Sequence, residues 1–404
     1  MLRPNHAAVT ALLTALVALG PISTDLYLPS LPALTAYFGV GEAAGQLTLS
    51  AFLLGLAGGQ IIYGPLSDRY GRRPVLLFGV GLYAAASIVC AFAPSIEALV
   101  IARFCQACGA CVGPVLGRAV VRDVYGREGA ARIMSYMSAA IALAPAIGPI
   151  IGGFVETWYG WRANFVLLLL YGAAALALTF LLLPETNIHR DTGRMSPARI
   201  ARAYISFFGE RAYFGYVFTV AFGYCGIFAF ISASSFILVD SAGLSPGLYG
   251  FCFAAVVLGY IAGTLTSGRL SARLGIDRLI AIGSLVGFAS ALLVLILALL
   301  NPTRTGIPAA IAVVGPMTLF LAGVGLMMPN AVVAAIAPYP RAAGTASALM
   351  GFLQMTLAAI LGALVGHFHN GTAIPMGVAL VAVNAAVLLS FYGLVRPFRK
   401  SAPG

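Results

Sequence analysis

Asp25 is a carboxylate set in apolar sequence, and it is the residue whose type and position most clearly suggest chemistry. It is the only ionisable carboxylate between positions 7 and 37. An ionised carboxylate in hydrocarbon costs several kcal/mol, so it should face a wet cavity or bind a proton. Pro21, Pro29 and Pro32 loosen the helical hydrogen bonds around it. The pattern predicts the proton-carrying group of a transporter; the alternative is an aspartate that caps a helix break at the outer membrane surface.

Arg103 is a second charged residue within an apolar stretch, and Gln106 and Gly109 follow it. Ionisable groups inside a membrane tend to pair with one another, so Arg103 is expected to have a counter-charge. Asp25 is the candidate partner, and together they would form a proton-coupling pair. The alternative is a structural arginine that bonds backbone carbonyls.

About twelve apolar stretches are long enough to position these groups across a membrane, since a spanning helix needs roughly 20 residues. Short loops join most of them, which predicts antiparallel neighbours. The sequence therefore predicts an all-α integral membrane protein with twelve transmembrane helices. The expected spans are 8–36, 43–64, 74–93, 97–121, 131–156, 163–183, 213–239, 247–270, 278–299, 307–335, 343–366 and 373–395.

Composition and charge agree with a membrane protein. Charged residues make up 9% of the chain, against about 25% in a typical soluble protein. The net charge of +11 does not indicate nucleic-acid binding, because the basic residues concentrate in every second loop. With a cytoplasmic N-terminus, only Arg162 and Arg304 fall outside, while Arg103 lies in a span. The bias predicts two cytoplasmic termini, and we expect no removable signal peptide.

The chain divides into two related halves. The longest gap between apolar stretches predicts a cytoplasmic linker at 187–211, which separates a six-helix bundle at 1–186 from another at 212–404. Within the linker, residues 197–208 could form a basic amphipathic helix on the membrane surface. Positions 64–71 and 268–275 agree at five of eight residues with a constant offset of 204. Parallel six-span repeats with a substrate site at their interface are typical of one large class of secondary transporters.

The loop at 64–74 carries two glycines that permit a tight turn, and a carboxylate among arginines that can exchange ion pairs. It resembles the loop signature of the major facilitator superfamily. The resemblance implies that Asp68 faces the start of the eleventh span, and that Arg72 pairs with an acid below the fourth span, for which Asp123 is the candidate. An ordinary positive-inside turn is the alternative. The predicted conformational latch comprises Gly64, Asp68, Arg69, Gly71, Arg72, Arg73, Arg122 and Asp123.

Two membrane segments extend the resemblance. The Arg103–Gln106–Gly109 pattern resembles the superfamily's fourth helix, whose arginine is implicated in proton relay. Residues 144–153 resemble the antiporter signature of its drug-exporting branch at Gly148, Pro149, Gly152 and Gly153. Small residues at this spacing allow another helix to approach closely, and Pro149 bends the span. Generic helix packing is the alternative for the fifth span.

Shorter stretches are similar to the bicyclomycin/chloramphenicol-resistance (Bcr/CflA) family of multidrug transporters: 25–32, 121–125, 160–162 and 183–186. The resemblance is dense in the first half and thin in the second. It implies proton-coupled efflux of small, mostly neutral or zwitterionic drugs. Aromatic, soft and polar side chains would line the pocket. The predicted substrate contacts are Tyr27, Gln106, Tyr136, Tyr224, Phe228, Asn330 and Gln354.

Other function classes find little support in the sequence. It contains no HExxH and no phosphate-binding loop, so we expect no enzyme, no cofactor and no metal. The cysteines at 105, 108 and 111 have no accompanying histidine or carboxylate and are interpreted as packing residues. The expected partners are a drug substrate, protons and the lipid bilayer, with no nucleic acid, for a monomer in a bacterial inner membrane. The remaining alternative is a proton-coupled nutrient or metabolite symporter on the same fold.

Overall fold

The computed structural model describes residues 7–187, 204, 207, 209–300, 305–339 and 342–395, with the side chains of 126–129, 131, 132, 135 and 139 excepted. The predicted surface helix at 197–208 lies almost entirely outside these residues. The described chain is helical and contains no β-strand. It divides into two compact units, at residues 1–195 and 196–404. The boundary falls inside the predicted linker, whose exact limits stay a prediction.

Twelve helical segments in the described chain are long and apolar enough to cross a membrane, and each overlaps one predicted span. This confirms an all-α multi-pass membrane protein. In the first unit they are Ala7–Phe38, Glu42–Tyr70, Arg72–Ala91, Ile96–Tyr125, Tyr136–Tyr159 and Trp161–Leu182. In the second unit they are Arg211–Ser241, Pro246–Leu274, Ile276–Leu300, Gly306–Ile336, Ala343–His367 and Ile374–Val395. They are called the first to the twelfth span below.

Four spans are not single regular helices. The first consists of helix Ala7–Asp25, a 3₁₀ turn Leu28–Ser30 and helix Leu31–Phe38. The fourth breaks after Ala110 because Pro114 lacks the amide that would bond the Ala110 carbonyl. The seventh and twelfth end in π-helical turns, at Phe236–Ser241 and Ser390–Val395 respectively.

The connection between the fourth and fifth spans differs from the sequence prediction. A loop is expected between 121 and 131, but the helical assignment continues without a break from Val112 to Tyr159. No proline occurs between Pro114 and Pro145, so nothing removes an amide from the intervening helical turns. A Cβ atom on Gly117 would nevertheless lie 3.0 Å from the Met137 methyl carbon, whereas 20 residues of straight helix span about 30 Å. The chain therefore bends back between these two residues, and the fourth and fifth spans pack side by side.

Close helix packing in both units depends on glycine. In the first unit Gly113 lies so close to the Leu16 carbonyl that a Cβ atom would overlap it. In the second unit Gly259 and Gly263 approach the backbone of the tenth span in the same way. Such contacts bring helix backbones together, as expected where lipid provides no hydrophobic force between helices.

The internal repeat is visible in the backbone. The second span ends at Gly71 with a positive φ of 101°, and the eighth ends at Gly275 with a φ of 78°. Each glycine amide bonds the serine carbonyl four residues earlier, at Ser67 or Ser271, with a length of 3.0 Å. Each of these serine hydroxyls donates to the glycine carbonyl three residues before it. The two segments that lie 204 residues apart therefore share these hydrogen bonds as well as their residue types.

Gly71 should tolerate substitution poorly. An alanine there has to adopt a left-handed conformation, which costs about 1 kcal/mol or more of the free energy of unfolding. Gly64 is the matched control, because it is helical and no atom lies within 4 Å of its would-be Cβ. Gly64→Ala should be neutral or stabilising by up to about 1 kcal/mol. Thermal unfolding in detergent measures both, and equal transition temperatures would contradict the strain at Gly71.

Candidate functional site

Asp25 is the last residue of the first helix, and its side chain is buried. The helix stops there because Pro29 has no amide to bond the Asp25 carbonyl. The turn that follows, at Leu26 and Tyr27, leads into the short 3₁₀ helix. Asp25 thus lies at a break in a membrane helix, inside the first unit.

The break rests on the glycine face of the fifth span. A Cβ atom added to Gly148 would lie 3.3 Å from the Asp25 Cβ, and one added to Gly152 would overlap the Leu26 carbonyl oxygen. Pro149 and Gly153 are buried on the same span. The structure therefore brings the predicted proton-coupling residue and the predicted antiporter helix into direct contact.

No hydrogen bond or ion pair to the Asp25 carboxylate occurs among the side chains that the structure describes. A buried carboxylate without donors or a counter-charge is costly when ionised, whereas the neutral acid needs no counter-charge. The site is therefore suited to binding and releasing a proton. This chemistry is reversible and leaves the chain covalently unchanged.

Arg103 is fully buried in the fourth span, among aromatic rings. Its guanidinium carbon lies 4.3 Å from the Tyr27 ring centroid, 4.1 Å from that of Phe52 and 5.8 Å from that of Phe165. Its NH1 group donates to Gln106 Oε1 at 2.6 Å. Aromatic faces attract cations, most strongly where both are desolvated. Arg103 thus has a cage of three rings drawn from the first, second and sixth spans.

The expected pairing of Arg103 with Asp25 is not formed in this structure. The Arg103 Nε and NH2 groups have no hydrogen-bond partner among the described residues. The first span reaches Arg103 through Tyr27, two residues beyond Asp25. The Tyr27 hydroxyl is in turn hydrogen-bonded to Thr48 Oγ1 at 2.8 Å. The aromatic ring takes the place of the carboxylate because the non-helical turn separates the two side chains.

The predicted substrate contacts fall into different environments. Tyr27 and Gln106 are fully buried and engaged with Arg103, while Phe228, Asn330 and Gln354 are buried in the second unit. Tyr224 is half-buried. Tyr136 is exposed and lines an apolar cavity of about 600 Å³ between the first and fifth spans. This volume is typical of small-molecule pockets, and the substrate role of all seven residues stays a prediction.

Residues of the predicted latch form ion pairs at the turn between the second and third spans, and their role as a latch stays a prediction. Arg72 Nε bonds Asp123 Oδ2 at 3.0 Å, and Arg72 NH1 bonds Asp68 Oδ1 at 2.5 Å. The predicted pairing of Arg72 with Asp123 is therefore confirmed. Arg69 lies over the Tyr70 ring, and Arg122 is exposed. The expectation that Asp68 faces the eleventh span concerns both units together and stays a prediction.

Two residues at the end of the first unit, Glu185 and Asn187, strengthen this turn and were missed as site residues. The Glu185 carboxylate accepts from the backbone amides of Arg72 at 3.0 Å and Arg73 at 3.4 Å. It therefore caps the third span, where the helix N-terminus favours negative charge. The Asn187 side-chain amide donates to the Asp68 carbonyl at 3.0 Å. The signal available in the sequence was an acidic residue just beyond the sixth span.

The Arg72–Asp123 pair should show coupling in a double-mutant cycle. Arg72→Lys and Asp123→Asn, made separately and together, should give a coupling free energy of about 1–3 kcal/mol, since hydrogen bonds between charged groups are strong when partly buried. Unfolding in detergent is the measurement. Arg69→Lys with Asp123→Asn is the control cycle and should be additive. Additivity in the Arg72 cycle would mean that the bond contributes no net stability.

Residues 13–363 match the family described as Major Facilitator Superfamily. The chain is 30% identical over 386 residues to a bicyclomycin resistance protein homolog of Haemophilus influenzae, covering 95% of each chain. It is 31% identical over 389 residues to a chloramphenicol resistance protein of Pseudomonas aeruginosa, covering 96% of this chain and 90% of that one. It is 29% identical over 396 residues to multidrug resistance protein D of Escherichia coli, covering 98% and 97%.

Solved structures share the fold at low identity. A D-xylose–proton symporter aligns with a TM-score of 0.72 and 18% identity, over 96% of this chain and 97% of that one. A bacterial homolog of the human lysosomal transporter Spinster aligns with a TM-score of 0.74 and 16% identity, over 98% of both chains. At these identities the likeness concerns the fold alone.

Proposed function

The chain belongs to the major facilitator superfamily and is a membrane transporter rather than an enzyme, and we propose that it exports small, mostly neutral or zwitterionic drugs in exchange for protons. Bicyclomycin- and chloramphenicol-type antibiotics are the proposed cargo. The single observation that carries the proposal is the buried Asp25 packed against Gly148, with the neighbouring Leu26 packed against Gly152. The names of relatives that match nearly the whole chain support the drug class.

In the proposed cycle, two six-helix halves alternate in opening a site to either side of the membrane. Asp25 binds a proton from the outer side as cargo leaves, and it releases the proton to the cytoplasm before new cargo binds. Arg103 takes part by attracting the ionised carboxylate when the first span rearranges. Each inward proton supplies about 1.4 kcal/mol per pH unit and about 2.3 kcal/mol per 100 mV, which is enough to concentrate a drug.

The location follows the same reasoning. The excess of arginine in alternate loops supports two cytoplasmic termini. The proposed exchange uses an inward proton gradient, which supports a location in the bacterial inner membrane. With Asp25 and Arg103 both deep in the first half, a nearly neutral pocket favours uncharged or zwitterionic drugs over dications. We further propose that the protein works as a monomer.

A susceptibility panel in an efflux-deficient host tests the cargo. Expression should raise the growth-inhibiting concentration of drugs from the two classes several-fold, and a protonophore should remove the difference. Purified protein in vesicles tests direction: an imposed pH gradient, acid inside, should drive drug inward against the proton flow. Drug movement in the same direction as protons would establish a symporter and overturn antiport.

A further inference from the structure

Glu156 is a second carboxylate in the first unit that the sequence did not single out. It lies on the fifth span, eight residues beyond Gly148, and is half-buried. The Ser30 hydroxyl lies next to its carboxylate. Its Oε2 atom is buried and has no hydrogen-bond partner in the described part of the chain. An acceptor oxygen is therefore left without a donor inside a membrane span.

Asn164 of the sixth span completes a small polar cluster with Glu156 and Ser30. It is fully buried, and its amide nitrogen donates to Ser30 Oγ at 2.8 Å and to the Gly152 carbonyl at 3.2 Å. This fixes the amide orientation, because a carbonyl can only accept. The Asn164 Oδ1 atom then lies buried without a partner among the described residues.

The cluster thus holds two acceptor oxygens without a donor. The Asn164 hydrogens serve Ser30 and Gly152. Glu156 Oε2 and Asn164 Oδ1 still lack a hydrogen. Orphaned buried acceptors cost about 1–3 kcal/mol each, more if charged. A proton on Glu156 removes the charge and creates the missing donor.

The cluster lies on the same two segments as Asp25. Gly148 contacts Asp25, and Gly152 contacts Leu26. The Gly152 carbonyl accepts the hydrogen bond from Asn164, and Ser30 follows in the 3₁₀ turn. Eight helical residues span about 12 Å. Glu156 is therefore displaced from Asp25 toward the end of the fifth span at Tyr159, away from the arginine-rich loops.

We propose that Glu156, held by Ser30 and Asn164, is a second proton-binding carboxyl that accepts protons from the outer compartment and passes them to Asp25. The proposal rests on the proposed antiport. The neutral Glu156 acid gives its proton, through intervening water, to the Asp25 carboxylate and becomes a carboxylate again. No other reactant is needed.

Other ionisable groups lie on the elements around the cluster. They are Asp25, Tyr27 and Tyr37 of the first span, Glu42 of the second, Tyr159 of the fifth and Arg162 of the sixth. The Arg162 guanidinium carbon lies 4.4 Å from the Tyr37 ring centroid and 4.2 Å from that of Trp161. Arg162 thus stacks on aromatic rings, and the Ser30 hydroxyl is the polar group beside the Glu156 carboxylate.

Infrared difference spectroscopy of the full-length protein during a pH titration tests the site without transport. The wild type should show two buried carboxyl groups that gain a proton, one lost in Asp25→Asn and the other lost in Glu156→Gln. Glu97→Gln, at an exposed glutamate, is the matched control and should keep both bands. Ser30→Ala should shift the midpoint of the Glu156 band alone.

Two infrared results would overturn the proposal. One is a spectrum of Glu156→Gln identical to that of the wild type. The other is loss of the Glu156 band when sodium or potassium is added at constant pH, which would identify a metal-cation site instead. A thermal unfolding curve for each variant establishes that the protein is folded. An unchanged spectrum of a folded Glu156→Gln protein then means that Glu156 does not bind the proton.

Proton flux in vesicles then tests the direction of transfer. Glu156→Gln should slow drug-driven proton uptake from the outer side about tenfold or more, since positioned proton-transfer groups contribute at least that much. The number of protons per drug should not change. Unaltered flux at every outer pH would refute the relay. If Asp25→Asn kept its coupling, the role of Asp25 in the proposed antiport would fail, while the infrared assignment of Glu156 still stood.

Discussion

We expect Asp25→Asn to abolish the proposed coupling between drug and proton movement. Asparagine keeps the shape and hydrogen-bonding capacity of the side chain but cannot exchange a proton near neutral pH, so the proton step has no carrier. Proton-coupled drug transport should fall at least about 100-fold, the usual contribution of a positioned proton-transfer group. Drug accumulation in vesicles under an imposed pH gradient, with proton flux recorded in parallel, is the measurement.

The control is the same chemical change at Asp240, an exposed aspartate at the end of the seventh span. Asp240→Asn should transport as the wild type does. Asp25→Asn should also unfold at a temperature no lower than the wild type, because it removes a buried carboxylate that has no donor in the described structure. A folded Asp25→Asn protein with undiminished coupled uptake would remove Asp25 from the mechanism.

Gly152→Ala should be the most damaging small substitution in the fifth span. The added methyl group overlaps the Leu26 carbonyl oxygen, and backbone cannot move aside as a flexible side chain can. Overpacking of this kind typically costs about 1–3 kcal/mol of the free energy of unfolding. It also pushes the Asp25 turn away from the fifth span, so drug resistance should fall about tenfold, given the sensitivity of such chemistry to misplacement.

A graded series makes the test specific. At Gly148 the would-be Cβ lies 3.3 Å from the Asp25 Cβ, a tight contact that a small shift can relieve. Gly148→Ala should therefore have an intermediate effect. Gly81, in the third span, has no atom within 4 Å of its would-be Cβ, and Gly81→Ala should be silent in both unfolding and susceptibility. An order in which Gly81→Ala harms the protein as much as Gly152→Ala would contradict the packing argument.

The sequence was sufficient for the architecture because span length, arginine placement and the repeat are local or periodic signals. Each predicted span overlaps a helical segment. The Arg72–Asp123 bond was predicted from the resemblance of the 64–74 loop to the superfamily signature, which implies an acid below the fourth span as the partner of Arg72. The helical connection from the fourth to the fifth span was missed, since two glycines and several charges read as a loop although no proline interrupts the chain.

The environment of Arg103 could not be predicted in the same way. Tyr27, Phe52 and Phe165 belong to three spans, and only their packing brings the rings together. The expected partner of Arg103 was Asp25, because the argument from sequence considered opposite charges and not contacts with aromatic rings. Glu156 escaped notice for a related reason: its burial and its link to Asn164 through Ser30 depend on contacts between distant parts of the sequence.

Glu185 and Asn187 have a practical consequence for anyone who wishes to express the two halves as separate polypeptides. These residues cap the third span and bond the end of the second, so they belong to the folded first half although they follow its last helix. A cut after Leu183 would strip the third helix of its carboxylate cap and expose both amides that it covers. A cut placed beyond Asn187 would keep the Glu185 cap and the Asn187 hydrogen bond within the first fragment.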